Sequence, residues 1–244
     1  SHPGTMEQYI ERVVDLLDPE LNRIHNMDIE QARDNVLSGD PDRVRDIDGS
    51  FALLARDGKT VRMARSLDRP MRYFLAKRQE GPALIVADRI DAIHRQLQAE
   101  GLADQFHPSY TRMAPAHHLV EIQLVGCPDP DPVYTRFFAP RRDSLPQDLE
   151  EIGTRYIGAL ADEIAKWLKG IPEKEPVGVC FSGGVDSAVL LRLAVESLGP
   201  ERVLAATGNS ASLADEDLAD ARAVALAAGV EHVVIDTREM ENPE

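Results

Sequence analysis

The chain has 244 residues, enough to bury a core in one large domain or two small ones, and a formal net charge of −15. Such an acid excess argues against a broad nucleic-acid or anionic-membrane surface. No apolar run reaches the roughly 20 residues that a membrane helix needs, and two distant cysteines, Cys127 and Cys180, make neither a disulfide framework nor a zinc site. Cytoplasm is the expected compartment.

Ser1 to Thr5 precede Met6 and read as a tag remnant. From Glu7 to Leu17 the apolar residues Tyr9, Ile10, Val13, Val14 and Leu17 recur at helical spacing, which predicts a helix. Asp28 to Ser38 predicts a second, with Asp28 and Gln31 as a capping box and Gly39 as its stop. Residues 50 to 125 then hold short apolar segments, at 51–55, 61–64, 73–76, 84–87 and 119–125, interrupted by a helix over 89–100. Asp57-Gly58 between the first two predicts a hairpin. The whole reads as an α+β domain on a mainly antiparallel sheet. Gly126 to Pro132, with three prolines, is expected to be a loop.

Ser144 and Gln147 predict the capping box of a long helix ending at Gly170. Its apolar face (Leu149, Ile152, Tyr156, Ile157, Leu160, Ile164, Trp167, Leu168) is expected to pack in a core. Beyond Pro176 the pattern becomes βαβαβ: strand 177–181, helix 185–198 stopped by Gly199, strand 202–207, helix 215–228 stopped by Gly229, strand 232–235. Strands joined by crossover helices imply a parallel sheet with ligands at the strands' carboxyl ends.

Val177 to Phe181 runs directly into Ser182-Gly183-Gly184-Val185-Asp186-Ser187. Paired glycines let the backbone approach a ligand closely, and the helix that follows offers unpaired amides and partial positive charge. That combination is a phosphate nest, to which Ser182 and Ser187 add hydroxyls. A bare phosphate would repel Asp186, so its carboxylate points to Mg²⁺ carried by the phosphates. The loop has neither the Gly-Lys-Ser/Thr ending of a Walker loop nor dinucleotide-fingerprint spacing. Cys180, inside the strand, reads as a buried structural thiol. Asp215, Glu216, Asp217 and Asp220 fit the first turn of a helix, where acids favour the dipole. His117 and His118 alternate on a strand and make no ligand pair.

Residues 182–187 resemble the signature loop of the PP-loop ATP pyrophosphatases. The resemblance implies ATP and Mg²⁺ as cofactors, and cleavage of ATP to AMP and pyrophosphate while a small-molecule substrate is adenylated. It makes Ser182, Asp186 and Ser187 the catalytic candidates, residues 182–187 with Thr207 the nucleotide-binding set, and Asp186 the metal ligand. Thr207, at the end of the second strand, would meet adenine partly through its backbone.

Residues 48–140 resemble the amidotransferase domain of asparagine and β-lactam synthetases. The matching pieces are Asp48-Gly49-Ser50-Phe51-Ala52, Ala64-Arg65, Arg69-Pro70-Met71-Arg72-Tyr73-Phe74, Ala87 to Ile93, and Met113 to His118. No cysteine precedes Cys127, so the N-terminal nucleophile of that family is missing and no glutamine hydrolysis is expected. Residues 203–244 are similar to sulfur transferases that build the nickel-pincer cofactor, through Asn209 to Leu213, Ala228 to His232 and Glu239 to Glu244. The fold class expected is thus α/β. A degenerate Ntn-type α+β domain (6–140) is followed by a linker helix and a parallel-sheet, Rossmann-like PP-loop domain (141–244). That family has more parallel strands than the three that fit here. A longer protein, a partner chain, a homo-oligomer or a degenerate site would each account for the shortfall.

Overall fold

The structure, a computed structural model, describes residues 10, 12–77, 82–125, 131–172, 174–210 and 213–237. It is a mixed α/β protein that divides into two compact units, Ser1–Arg142 and Asp143–Glu244. The expectations for the tag remnant, Cys127 and Glu239 to Glu244, and for most of Gly126 to Pro132, lie outside the described residues.

In the first unit the chain runs β1 (Arg12–Asp15), β2 (Arg23–Ile24), α1 (Ile29–Ser38), α2 (Pro41–Arg45), β3 (Gly49–Ser50), β4 (Ala52–Asp57), β5 (Thr60–Arg65), β6 (Arg72–Ala76), β7 (Ala83–Ala87), α3 (Ile90–Ala99), β8 (Arg112–Met113), β9 (His118–Gln123) and β10 (Val133–Arg136). Two four-stranded sheets form, in the orders β1-β7-β6-β8 and β10-β9-β5-β4. Every pairing in them is antiparallel except that of β1 with β7. The inner faces share one core: Val61, Met63, Val120 and Ile122 of one sheet meet Tyr73, Leu84 and Val86 of the other. Outer faces are closed by helices. Phe51, Leu53, Ala64 and Leu119 pack with Val36 of α1 and Val44 of α2, and Phe74, Ile85 and Ala87 pack with Ile93 and Leu97 of α3. The unit is therefore layered α-β-β-α, two sheets where the sequence reading expected one.

The start of the chain is a correction. Residues 12–15 form a strand, not part of a helix. Val13 and Leu17 pack toward the inter-sheet core, while Val14 and Leu16 pack toward α3. A strand buried on both faces carries apolar residues in adjacent pairs, and over a short window that pattern matches helical spacing. The β-branched pair then joins the ladder, Val13 opposite Leu84 and Val14 opposite Ile85. The capping box of Asp28 and Gln31 is present, with Gly39 at φ 74° as the left-handed stop. The Asp57-Gly58 hairpin joins β4 to β5 in the register Asp57↔Thr60.

The second unit holds α4 (Leu149–Leu168), β11 (Val177–Cys180), α5 (Val185–Leu198), β12 (Val203–Asn209), α6 (Asp215–Ala228) and β13 (Glu231–Asp236). Its sheet is parallel, in the order β11-β12-β13, with Val177↔Val203 and Leu204↔Glu231 setting the registers. Val179, Phe181, Val203 and Ala205 form a core with Leu191 and Ala194 of α5 and Ala221 and Ala225 of α6, so both helices cover one face. Two expectations fail here. The N-cap of α4 is Asp148, which accepts from the Glu150 and Glu151 amides, in place of the Ser144–Gln147 box. Of the α4 apolar stripe only Leu168 is buried, with Leu149 and Tyr156 among its most exposed members. Among the described residues no helix is long and apolar enough to cross a membrane.

Candidate phosphate-binding loop

The site is built where β11 ends. Strand alternation buries Val177 and Val179, the latter against the helices, and turns Gly178 and Cys180 to the other face. Cys180 is accordingly exposed, which corrects its reading as a buried thiol. Phe181 extends the strand by one residue, its amide donating to the Ala206 carbonyl at 2.8 Å. The turn that follows needs a left-handed residue, and Gly183 supplies it at φ +83°. The backbone also lies close to α6. A Cβ on Gly183 would stand 3.2 Å from the Asp217 carbonyl oxygen and 3.3 Å from Ala221 Cβ, so a side chain there would be crowded as well as strained. Gly184 differs: its φ is −71°, and the nearest atom to a Cβ there is Ser182 Oγ at 3.5 Å.

Gly184 is the N-cap of α5 and brings no side chain to cap it. The amides of Val185, Asp186 and Ser187 therefore form a first turn with no intrahelical partner, at the positive end of a helix of 14 residues. The serines organise the rest. Ser187 Oγ donates to the Gly184 carbonyl at 3.0 Å and accepts from the Ser182 amide at 3.3 Å. With that proton committed, Ser182 Oγ is the donor in its 3.2 Å contact with Ser187 Oγ, and it accepts from the Gly184 amide at 3.4 Å. Val185 and Asp186 are exposed, Ser187 half-buried.

The structure thus brings Ser182 to Ser187 into one exposed turn. Thr207 lies beneath it, 2% exposed, with its hydroxyl turned inward to the Phe181 carbonyl. Asp215, Glu216 and Asp217 occupy the first turn of α6, where acids favour the dipole, and the Asp217 carbonyl lies beside Gly183. No cluster of three or more metal-ligating side chains exists among the described residues. Asp186 fits a magnesium ion only as the single carboxylate beside phosphate oxygens, which is the usual way magnesium is held at polyphosphates. His117 has a φ of 59° and stacks edge-on against Phe138, while His118 Nδ1 contacts the Ala116 carbonyl, so the two histidines do not converge. A separate cavity of about 560 Å³ opens in the first unit among Tyr73, Leu75, Lys77, Tyr110 and Arg112.

Sequence reasoning missed His232. Its Nε2 lies 2.8 Å from Thr207 Oγ1, and burial, with the nearby charge of Arg222, holds the imidazole pKa below its usual value. Alternation along β12 places Thr207 on the helix-covered face with Val203 and Ala205, which was the available signal for a buried polar partner.

Part of the chain is similar to known proteins. The asparagine synthase family model matches residues 171–243. Over 82 residues the chain is 33% identical to pyridinium-3,5-bisthiocarboxylic acid mononucleotide synthase from Lactiplantibacillus plantarum, covering 33% of this chain and 30% of that protein. Over 81 residues it is 42% identical to an NH(3)-dependent NAD(+) synthetase from Methanopyrus kandleri, covering 32% and 28%. A solved NH3-dependent NAD synthetase from Campylobacter jejuni is 24% identical with a TM-score of 0.29, covering 34% of this chain and 35% of that one. The chain spans less than a third of the length of the curated relatives it matches. The likeness is therefore confined to the C-terminal part of the chain, where a parallel βαβαβ unit carries the loop and where residues 171–243 match the asparagine synthase family model.

Proposed function

We propose that the turn from Ser182 to Ser187 binds the polyphosphate of ATP and that the protein adenylates a small-molecule substrate with release of pyrophosphate. The observation that supports this most is the uncapped N-terminus of α5 directly after a glycine at φ +83°. Phosphate oxygens would meet the amides of Val185, Asp186 and Ser187 and the positive helix end. The Ser182 and Gly184 amides, held to serine hydroxyls at 3.3 and 3.4 Å, would exchange these long bonds for shorter ones to an anion. Asp186 would hold the magnesium that the phosphates carry. In such a site catalysis is positioning and charge neutralisation: the loop holds the departing pyrophosphate while an acceptor oxygen takes the adenylyl group.

Two classes of reaction fit this chemistry. The Methanopyrus kandleri relative is named an NH(3)-dependent synthetase, and the Lactiplantibacillus plantarum relative a synthase of a bisthiocarboxylic acid mononucleotide, so the acceptor step in this protein would bring in nitrogen or sulfur. We favour an adenylating ligase without glutaminase activity as the general reading, with sulfur transfer to a nucleotide as the alternative within it. Thr207, expected at the strand end, lies two residues before the end of β12, and any contribution it makes to adenine binding would be through its backbone. Completion of the site by a partner chain or a second copy belongs to the same reading.

The experiment is an equilibrium titration with ATP in the presence and absence of Mg²⁺, followed by an assay for AMP and pyrophosphate with candidate carboxylates. Magnesium-dependent binding is expected, with Asp186→Ala weakening it at least tenfold, about 1.4 kcal/mol. Equal affinity in the variant would remove Asp186 from the site. ATP bound but never cleaved with any acceptor would favour a non-catalytic nucleotide-binding protein.

A further inference from the structure

We propose that His232 is a positioning residue for the phosphate loop, acting through Thr207 on the peptide that begins the loop. The inference rests on the reading of that loop as the phosphate site. Thr207 has one hydroxyl proton and two close neighbours, the Phe181 carbonyl oxygen at 2.6 Å and His232 Nε2 at 2.8 Å. A carbonyl oxygen can only accept, so the proton goes to Phe181. His232 must then donate from Nε2, which assigns the Nε2–H tautomer and leaves Nδ1 bare in the neutral ring. The ring also meets the Phe181 side chain edge-on, with centroids 6.3 Å apart and planes at 80°.

The lever is the planarity of the peptide bond. The Phe181 carbonyl and the Ser182 amide belong to one rigid plane, so holding the carbonyl fixes where the amide points. On the far side of that plane the Ser182 amide donates to Ser187 Oγ, the hydroxyl that ties the two ends of the loop together. A line of hydrogen bonds thus runs from His232 on β13, through Thr207 on β12, to the entry of the loop after β11. Thr207 is 2% exposed and Phe181 3% exposed, so water cannot replace a missing donor without rearrangement. Lowering of the imidazole pKa by burial accords with a neutral ring in this place.

The test uses the whole chain. Nitrogen-15 NMR of the unmodified protein should show His232 as the Nε2–H tautomer. In ligand-free protein, His232→Leu and Thr207→Val should each speed hydrogen exchange at the Ser182 amide about fivefold, the size of one lost hydrogen bond. The double variant should be no faster than either single one, and His232→Gln, which keeps a donor near the Nε2 position, should restore most of the protection. Affinity for Mg-ATP should fall about fivefold in step. An Nδ1–H tautomer, additive effects in the double variant, or unchanged Ser182 exchange would overturn the proposal, and the tautomer decides it even if a variant does not fold. If the parent binds no Mg-ATP, the phosphate-site reading falls, while tautomer and exchange still decide whether His232 orders the turn.

Discussion

Gly183 and Gly184 are adjacent in sequence and opposite in what they tolerate. At Gly183 a side chain meets both an unfavourable φ of +83° and the backbone of α6, whereas at Gly184 neither obstacle exists. Gly183→Ala should therefore destabilise the second unit by about 1–2 kcal/mol, seen as a lower unfolding midpoint by circular dichroism. Gly184→Val should leave that midpoint nearly unchanged and act on ligand entry alone. Asp68 offers a residue-level test in the first unit. Burial opposes its ionisation, but hydrogen bonds from the Ser50 and Ser66 hydroxyls and the charge of Arg69 outweigh it, so the carboxyl titrates below its usual value near 3.8. A carboxylate with a lowered pKa in the fold lends stability that is present above its unfolded-state pKa and lost as pH falls through the folded one. Ser66→Ala should move the Asp68 midpoint upward in an NMR titration and flatten that acid-side loss. An unmoved midpoint would show that the Ser66 hydroxyl does not set it.

Elements were readable where a local stop and a period agreed. Gly199 and Gly229 close α5 and α6 at Leu198 and Ala228, the bounds their apolar spacing predicts, and Asp28 with Gly39 brackets α1. The βαβαβ order and the six-residue turn were legible for the same reason, since glycine and helix-start chemistry are local. What failed depended on distant partners. Residues 12–15 became a strand because β7 offered a parallel edge and both faces found apolar neighbours. Cys180 is exposed because α5 and α6 both lie on the other face of the sheet. The His232–Thr207 bond joins residues 25 apart, beyond what spacing reveals. Helix α4 gives the sharpest check on element boundaries. Its cap is Asp148, so Asp148→Ala should cost about 1 kcal/mol, read from the unfolding midpoint, while Gln147→Ala should cost little. Equal losses at the two positions would restore the capping box expected at Ser144 and Gln147.

The whole molecule joins an α-β-β-α unit to a parallel α/β unit, and the family match falls entirely on the latter. The first unit has a buried inter-sheet core and helix-covered outer faces, yet the chemistry proposed above lies wholly in the second. Net charge of −15 sharpens what binding ATP requires, since an anion must reach a site on an acidic protein. Local donors therefore have to supply the attraction: the α5 amides, the helix dipole and a magnesium ion carried with the nucleotide. Mapping backbone amide shifts while Mg-ATP or pyrophosphate is titrated into the protein tests this most directly. The largest changes are expected at Gly183 to Ser187, with pyrophosphate and ATP moving the same amides. Binding that shifts other residues and leaves these five unmoved would contradict the assignment of the loop.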